Sequence, residues 1–299
     1  MKIRTLIFPL SIMLVSCTKN VSTPVIIKNE KDQIVVNGYV AMKKDSSFSL
    51  VKVSRTKKLS EQGSPEIIPD QKVFINDEQL VFDAASQIYR SVHTTSANSH
   101  YLHTNIDGIE INAEDHFPAP VKFLSVEYLG LDTIRQIAGF ESEDVFAKIK
   151  LSFQDPVETE DYYQILVKYS DSLTPGYSER FPSNDYSIIE EQVEETDLFG
   201  NNIYKFIPHD MIIFRDHYFN GKKKEITLFV SRVSFYQDLY FELHHISKDA
   251  FIYHKNVKLQ SLNQDNPFAE PTIVTGNIKN AVGFFGCRHI DETNVHVPQ

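Results

Sequence analysis

The chain has 299 residues, 40 acidic against 30 basic, for a formal charge of −10, with no tryptophan and two cysteines. Its length exceeds the usual single domain, and its acidic balance argues against nucleic acid and anionic lipid surfaces as electrostatic partners, since both need clustered Lys and Arg. Fourteen Tyr and 21 Phe supply the aromatic side chains that favour strands.

Lys2 and Arg4 precede an apolar run from Leu6 to Val15 that ends in Leu14-Val15-Ser16-Cys17. A charged start, a short apolar stretch and a small residue before a cysteine make a secretory signal of the lipoprotein type. The run is shorter than the roughly 20 apolar residues a spanning helix needs, and Pro9 interrupts it. The expectation is a signal over residues 1–16, acylation of Cys17 and a lipidated tether over 17–32. Lys2 and Arg4 leave with the signal, so 28 basic residues face 40 acidic ones and the mature charge is −12. Each buried lipid methylene contributes about 0.8 kcal/mol, so several chains hold a soluble body at a membrane. With Cys17 acylated, Cys287 has no partner for an internal disulfide. Its setting, Gly283-Phe284-Phe285-Gly286-Cys287, predicts a buried small hydrophobe.

Alternation starts at Gln33. Ile34, Val36, Val40 and Met42 share one face of an extended segment, and Asn37, Tyr39 and Ala41 take the other. Short strands are predicted at Phe48–Val53, Lys72–Asn76, Ile88–His93 and Tyr101–Asn105, and Asp107-Gly108 turns the chain into Ile109–Ala113. The spacing leaves no room for helices and excludes parallel crossovers. Residues 33–120 are therefore expected to form an immunoglobulin-like β-sandwich. Pro118 and Pro120 stop it.

A second, larger β-rich domain is expected over 121–290, with a tail at 291–299. Its strands are predicted at Val121–Tyr128, Ala147–Phe153, Tyr162–Tyr169, Ile203–Ile207, Glu225–Val233 and Leu239–Ile246. One helix follows, from Ser247 to Gln260, with Ser247 as N-cap and Ile246, Ala250, Tyr253 and Val257 at helical spacing. Thr272–Thr275 and Val282–Cys287 close the fold. The fold class is all-β and mainly antiparallel.

Between Ser170 and Gly200 the sequence is polar and irregular, and Glu190, Glu191, Glu194, Glu195 and Asp197 form an acidic cluster. This is the candidate partner-binding loop, because long loops in compact domains often bind. Catalytic patterns are weak. Ser54-Arg55-Thr56-Lys57 matches Ser-x-x-Lys but follows a strand, and its usual companion motifs are missing. His100 with His103, and His244 with His245, have odd spacing that puts each pair on opposite strand faces. His209-Asp210 and Asp216-His217 lie near loops, but their spacing selects no metal. No cofactor, metal site or enzymatic activity is expected. Asn220-Gly221-Lys222-Lys223-Lys224 predicts a turn whose lysines guard a strand edge.

The ordered set Ile34-Val35-Val36-Asn37-Gly38-Tyr39-Val40, Phe153-Gln154-Asp155-Pro156 with Tyr162-Tyr163, Phe219-Asn220-Gly221-Lys222, Ile246-Ser247-Lys248-Asp249-Ala250 with Tyr253, Asn266-Pro267-Phe268-Ala269-Glu270-Pro271, and Gly276-Asn277-Ile278 through Gly283-Phe284-Phe285-Gly286 resembles DUF4249. That domain of unknown function occurs in lipoproteins of the Bacteroidota. Asn280-Ala281 departs from it where a Gly-Gly pair is expected. The resemblance implies an outer-membrane lipoprotein often encoded beside a TonB-dependent receptor, and it brings no catalytic residues. The expected function is a non-catalytic binding or accessory module in nutrient uptake. A structural or adhesive envelope protein is the alternative.

Overall fold

The computed structural model describes residues 32–44, 46–57, 64–93, 97–134, 144–169, 194–196, 202–204, 212–231, 238–263 and 273–298. The signal segment, Cys17 and the tether up to Lys31 lie outside them.

Strands in the first part of the chain are β1 (Ile34–Lys43), β2 (Ser46–Arg55), β3 (Val73–Ile75), β4 (Glu78–Gln79), β5 (Val81–Asp83), β6 (Ile88–His93), β7 (Ser99–Ile106) and β8 (Ile109–His116). There follow β9 (Phe123–Ile134), β10 (Asp144–Gln154), β11 (Tyr162–Tyr169), β12 (Glu194–Thr196), β13 (Asn202–Tyr204), β14 (Ile212–Arg215), β15 (Lys223–Ser231) and β16 (Asp238–Ile246), then helix α1 (Lys248–Asn263) and β17 (Val282–His296). Among the described residues the fold is all-β and mainly antiparallel, with one helix. The hairpin expected at Asp107-Gly108 joins β7 to β8, and both turn residues have positive φ, 54° and 80°.

One sheet of eight strands, in the order β14-β11-β16-β17-β1-β2-β6-β5, carries both ends of the described chain. The sheet β4-β3-β7-β8 packs on it through a core that includes Val36, Val40, Val53, Ile75, Leu102, Ile111 and Phe285. The sheet β15-β10-β9 packs on it through Ile149, Leu151, Phe153, Ile165, Val167, Leu228 and Phe241. On β17, Phe285 and Cys287 serve the first core and Val295 the second. These positions are even steps apart, so both small sheets cover the same face of the large one. The first core draws Ile278, Ala281, Phe285 and Cys287 from the far end of the chain, so it is not built from residues 33–120 alone. Asp32–Gln299 is one compact unit.

The parallel pairing of β1 with β17, from Val35↔Val282 to Lys43↔Ile290, is where the sequence reading fell short. Close spacing does rule out crossovers between successive strands of the first half. It says nothing about a strand arriving from the far end of the chain. Gly283 makes this pairing possible: its φ is 121°, and a Cβ there would sit 2.0 Å from the Val36 carbonyl oxygen. Asn280 takes the positive φ of 64° where a glycine was expected, a conformation asparagine tolerates.

Three further differences have local causes. Residues 291–296, expected as tail, are the second half of β17, paired with β16 through Asp238↔His296, and Val297 is buried. Residues 273–278 form no strand and Ile273 is exposed, while Thr272 lies outside the described residues. Strand β14 was missed because Ile212-Ile213-Phe214 is buried on both faces and too short to alternate.

The helix matches its prediction at the start. The Ala250 N–H points to Ser247 Oγ at 3.4 Å and the Phe251 N–H donates to the Ser247 carbonyl at 3.0 Å. Ala250, Phe251 and Tyr253 pack against Tyr162, Ile246 and Phe284, whereas Val257 is exposed. Lysines 222–224 lead into β15, which is an edge of its sheet as expected. Cys287 is fully buried as a free thiol, and burial pushes its pKa up.

Deleting residues 292–299 removes five register pairs between β17 and β16 together with buried Val297. The truncated protein is expected to lose its cooperative thermal transition. A tail outside the fold would leave that transition unchanged.

Candidate functional site

The face of the large sheet opposite the two cores carries charge. Strand alternation brings Gln164 and Lys168 on β11, Glu242 and His244 on β16, Arg288 and Glu292 on β17, and Asn37, Tyr39 and Lys43 on β1 to this side. Glu242, 4 % exposed, is the hub. Lys43 Nζ lies 3.2 Å from its Oε1, Lys168 Nζ contacts the same oxygen, and His244 Nε2 is 3.0 Å from Oε2. Lys43 also reaches Glu292 Oε2 at 2.7 Å. Burial alone raises the Glu242 pKa, but His244 and Lys168 outweigh it and hold the carboxyl below its usual range.

Arg288 Nη1 lies 3.3 Å from Gln164 Oε1 and 3.4 Å from His244 Nδ1. A guanidinium only donates, so Nδ1 of His244 accepts and Nε2 carries the proton given to Glu242. Burial, reinforced by the charge of Arg288, pushes His244 down to about 4, so the ring is neutral. The Arg288 guanidinium sits 4.1 Å over the Tyr39 ring. It is 6 % exposed, and among the described residues no carboxylate lies within ion-pair distance of it. Burial lowers its pKa, yet an arginine stays charged. Within this cluster three cations, Lys43, Lys168 and Arg288, stand against two carboxylates, Glu242 and Glu292, so the cluster is net positive on a strongly acidic protein.

Beside Arg288 is a cavity of about 450 Å³ lined by Asn37, Tyr39, Gln164, Leu166, Tyr253, His254 and Phe284. Tyr253 stacks on Phe284 with ring centroids 5.0 Å apart, and its hydroxyl donates to Asn37 Oδ1 at 3.0 Å. Burial, with Arg288 nearby, pushes His254 down to about 3, and its Nε2 is buried without a hydrogen bond. A buried cation, a neutral imidazole, two amides and three aromatic rings converge here. Such a site suits a small molecule with an anionic group and an apolar body. A larger hollow of about 710 Å³ lies on the sheet containing β3, β7 and β8, but its charged residues Asp70, Lys72, Asp77 and Glu110 are all exposed. Its buried polar atoms are Thr104 Oγ1 and His103 Nδ1, and none of its Asp, Glu or Lys side chains is desolvated.

Oxygen ligands for a metal come together elsewhere. Asp155 follows β10, Asp161 precedes β11 and Asp216 follows β14, and one carboxylate oxygen from each lies within 4.8 Å of the others. Burial raises Asp155 to about 6, with Asp216 and Asp161 adding to the rise, and Asp216 is raised as well.

Of the residues singled out from sequence, Cys17, Glu190, Glu191 and Asp197 lie outside the described residues. Glu194 and Glu195 belong to β12, which pairs with β13 through Glu194↔Tyr204 and Glu195↔Ile203. Ser54 is on strand β2, so Ser-x-x-Lys lacks the helical turn it requires. His100 is buried against Phe117 while His103 stacks on Phe74, and His244 and His245 face opposite sides of β16. Asp216 meets Asp155 and Asp161, and its expected neighbours His209 and Asp210 lie outside the described residues. Arg288 carried no sequence signal except its place in an otherwise apolar strand.

A family model described as a domain of unknown function, DUF4249, matches residues 20–294. The chain belongs to the DUF4249 family. The match takes in the first core, the second core except Val295 and Val297, α1, the Arg288 cavity and the three aspartates. No curated protein matches the chain.

His244 and His254 titrate at about 4 and about 3 in the fold, against 6.5 when unfolded. Between these values the unfolded chain binds the protons, so stability rises with pH through this window and is lost as pH falls below 6.5. Each ring contributes at most about 1.4 kcal/mol per pH unit. His254→Gln is expected to flatten the decline of urea-unfolding free energy between pH 6.5 and about 4.5. Parallel slopes for variant and wild type would contradict this assignment.

Proposed function

We propose that this DUF4249 protein is a lipid-anchored, non-catalytic binding module of the outer membrane that works with a TonB-dependent receptor in nutrient uptake. The Leu14-Val15-Ser16-Cys17 segment supports the anchor, since its charged, apolar and small-residue parts stand in the order of a lipoprotein signal. Among the described residues no helix is long and apolar enough to cross a membrane. The receptor is what the family context implies.

The observation that carries the binding role is Arg288: a desolvated guanidinium without a carboxylate partner, stacked on Tyr39 at the wall of a cavity. Burying such a charge costs several kcal/mol, and Gln164 and neutral His244 return only part of that. A ligand carboxylate would complete the ion pair, and Tyr253 and Phe284 would cover its apolar part. The groups around Arg288 are donors, neutral acceptors and rings. No side chain there is set beside a base as a nucleophile, which supports binding over chemistry.

Three measurements check this reading. Cys17→Ala is expected to move the protein from the membrane pellet to the soluble fraction after alkaline and high-salt washing, with its melting temperature unchanged. In thermal-shift titrations with aromatic and aliphatic carboxylates, wild type is expected to be stabilised, and Arg288→Gln to lose about tenfold or more in affinity, the scale of one charge-assisted pair. Capture of the detergent-extracted protein should bring down a β-barrel receptor. A protein retained in the membrane without Cys17 refutes the anchor, and carboxylate binding indifferent to Arg288 refutes the site.

A further inference from the structure

Two connections of the second sandwich converge at one point. Asp155 lies just past β10, Asp161 just before β11, and Asp216 begins the turn from β14 to β15. The turn is locked to the β10–β11 loop by backbone. Asp216 N–H donates to the Asp161 carbonyl at 3.0 Å, Asp155 N–H to the Lys222 carbonyl at 3.2 Å, and Asn220 Nδ2 to the Thr159 carbonyl at 3.2 Å. All three aspartates are at most 3 % exposed. Their carboxylates share few donors. Asp155 accepts from the Tyr163 hydroxyl at 2.5 Å and the Gly221 N–H at 2.7 Å, and Asp161 accepts from Thr159 Oγ1. No lysine or arginine is ion-paired to any of the three among the described residues.

Two buried polar atoms aimed at this point are unsatisfied. Asp216 Oδ2 has no hydrogen-bond partner. His245, 1 % exposed, places Nε2 2.9 Å from Asp161 Oδ1, off the line that an N–H···O bond requires. Its Nδ1 lies 2.6 Å from the Ala119 carbonyl oxygen and donates there, so Nε2 is the ring nitrogen that faces the cluster. Buried carboxylate oxygens that outnumber the donors offered to them suit a cation, because a metal ion accepts from all of them at once.

We propose that Asp155, Asp161 and Asp216 bind a divalent cation, calcium by preference, that clamps the β10–β11 loop to the β14–β15 turn. Three carboxylates on loops supply the hard oxygen donors that calcium and, with stricter geometry, magnesium or manganese accept. The ion would offset the mutual repulsion of the aspartates and take the free Asp216 oxygen. Gln154, the last residue of β10, ties into the same corner, its Nε2 donating to the Gly221 carbonyl at 3.1 Å. This site involves neither the Arg288 cavity nor the anchor, so it stands or falls separately from the reading above.

The test uses the full chain in detergent, stripped with EDTA and dialysed. Calcium at about ten times its dissociation constant is expected to raise the melting temperature by about 3–6 °C. Asp216→Asn should abolish the rise, yet melt in EDTA no lower than wild type, since it removes repulsion. Terbium offers a second readout: Tyr163 touches Asp155, so excitation of tyrosine should sensitise terbium emission, and excess calcium should quench it. Asp161→Asn should lose that emission even if Asp216→Asn folds poorly. The proposal is overturned if calcium, magnesium and manganese all leave the melting temperature unchanged, if Asp216→Asn keeps the rise, or if terbium emission survives in Asp161→Asn.

Discussion

The structure depends on one strand, β17, lying between β1 and β16. It pairs parallel with the first and antiparallel with the second, so one ladder joins both ends of the described chain. Its inward residues divide between the two cores, Phe285 and Cys287 on one and Val295 on the other. The contact is so close that only glycine fits at position 283, where any Cβ would overlap the Val36 carbonyl. Parallel pairing across more than two hundred residues is slow to find, because the loop must close before any hydrogen bond rewards it. Each half has local hairpins, such as β7–β8, to form first, and β17 then completes both.

A sheet with both cores on one face must present its other face elsewhere, and here α1 covers one part of that face through Tyr162, Ile246 and Phe284 while the middle carries charge. Lys43, Lys168, Glu242 and Glu292 form a mesh that neutralises itself at the sheet centre. Arg288 sits at its margin and receives only neutral acceptors and a ring face. A mesh of this sort contributes little net stability, since desolvation offsets most of the attraction. What it does is hold Arg288, His244 and Gln164 in fixed orientation beside the cavity, and preorganised polar groups of this kind bind with little ordering cost.

Charge is handled differently at the corner of the second sandwich. There Asp155, Asp161 and Asp216 crowd together, and burial with mutual repulsion raises Asp155 and Asp216 above ordinary carboxylates. One face thus carries a cation short of an anion, and one corner carries anions short of a cation. The two sites are built from different strand ends and share no residue.

Much of the architecture is legible in the sequence because it rests on local physics. Period-two alternation marks Tyr162–Tyr169 to the residue, Asp107-Gly108 marks its hairpin through positive φ, and Ser247 marks the helix start. Alternation also exposes the apolar faces that became the two cores. What no local signal carries is register between distant strands. Only tertiary structure decided that β17 lies beside β1, that residues 291–296 belong to it, and that β14 is a strand. The same holds for the sites: Arg288, Gln164 and Tyr39 lie on three strands, and Asp155, Asp161 and Asp216 on two loops. Their chemistry is visible in the letters, but their meeting depends on long-range pairings whose energy comes from burial of the whole sheet, which no short stretch of sequence encodes.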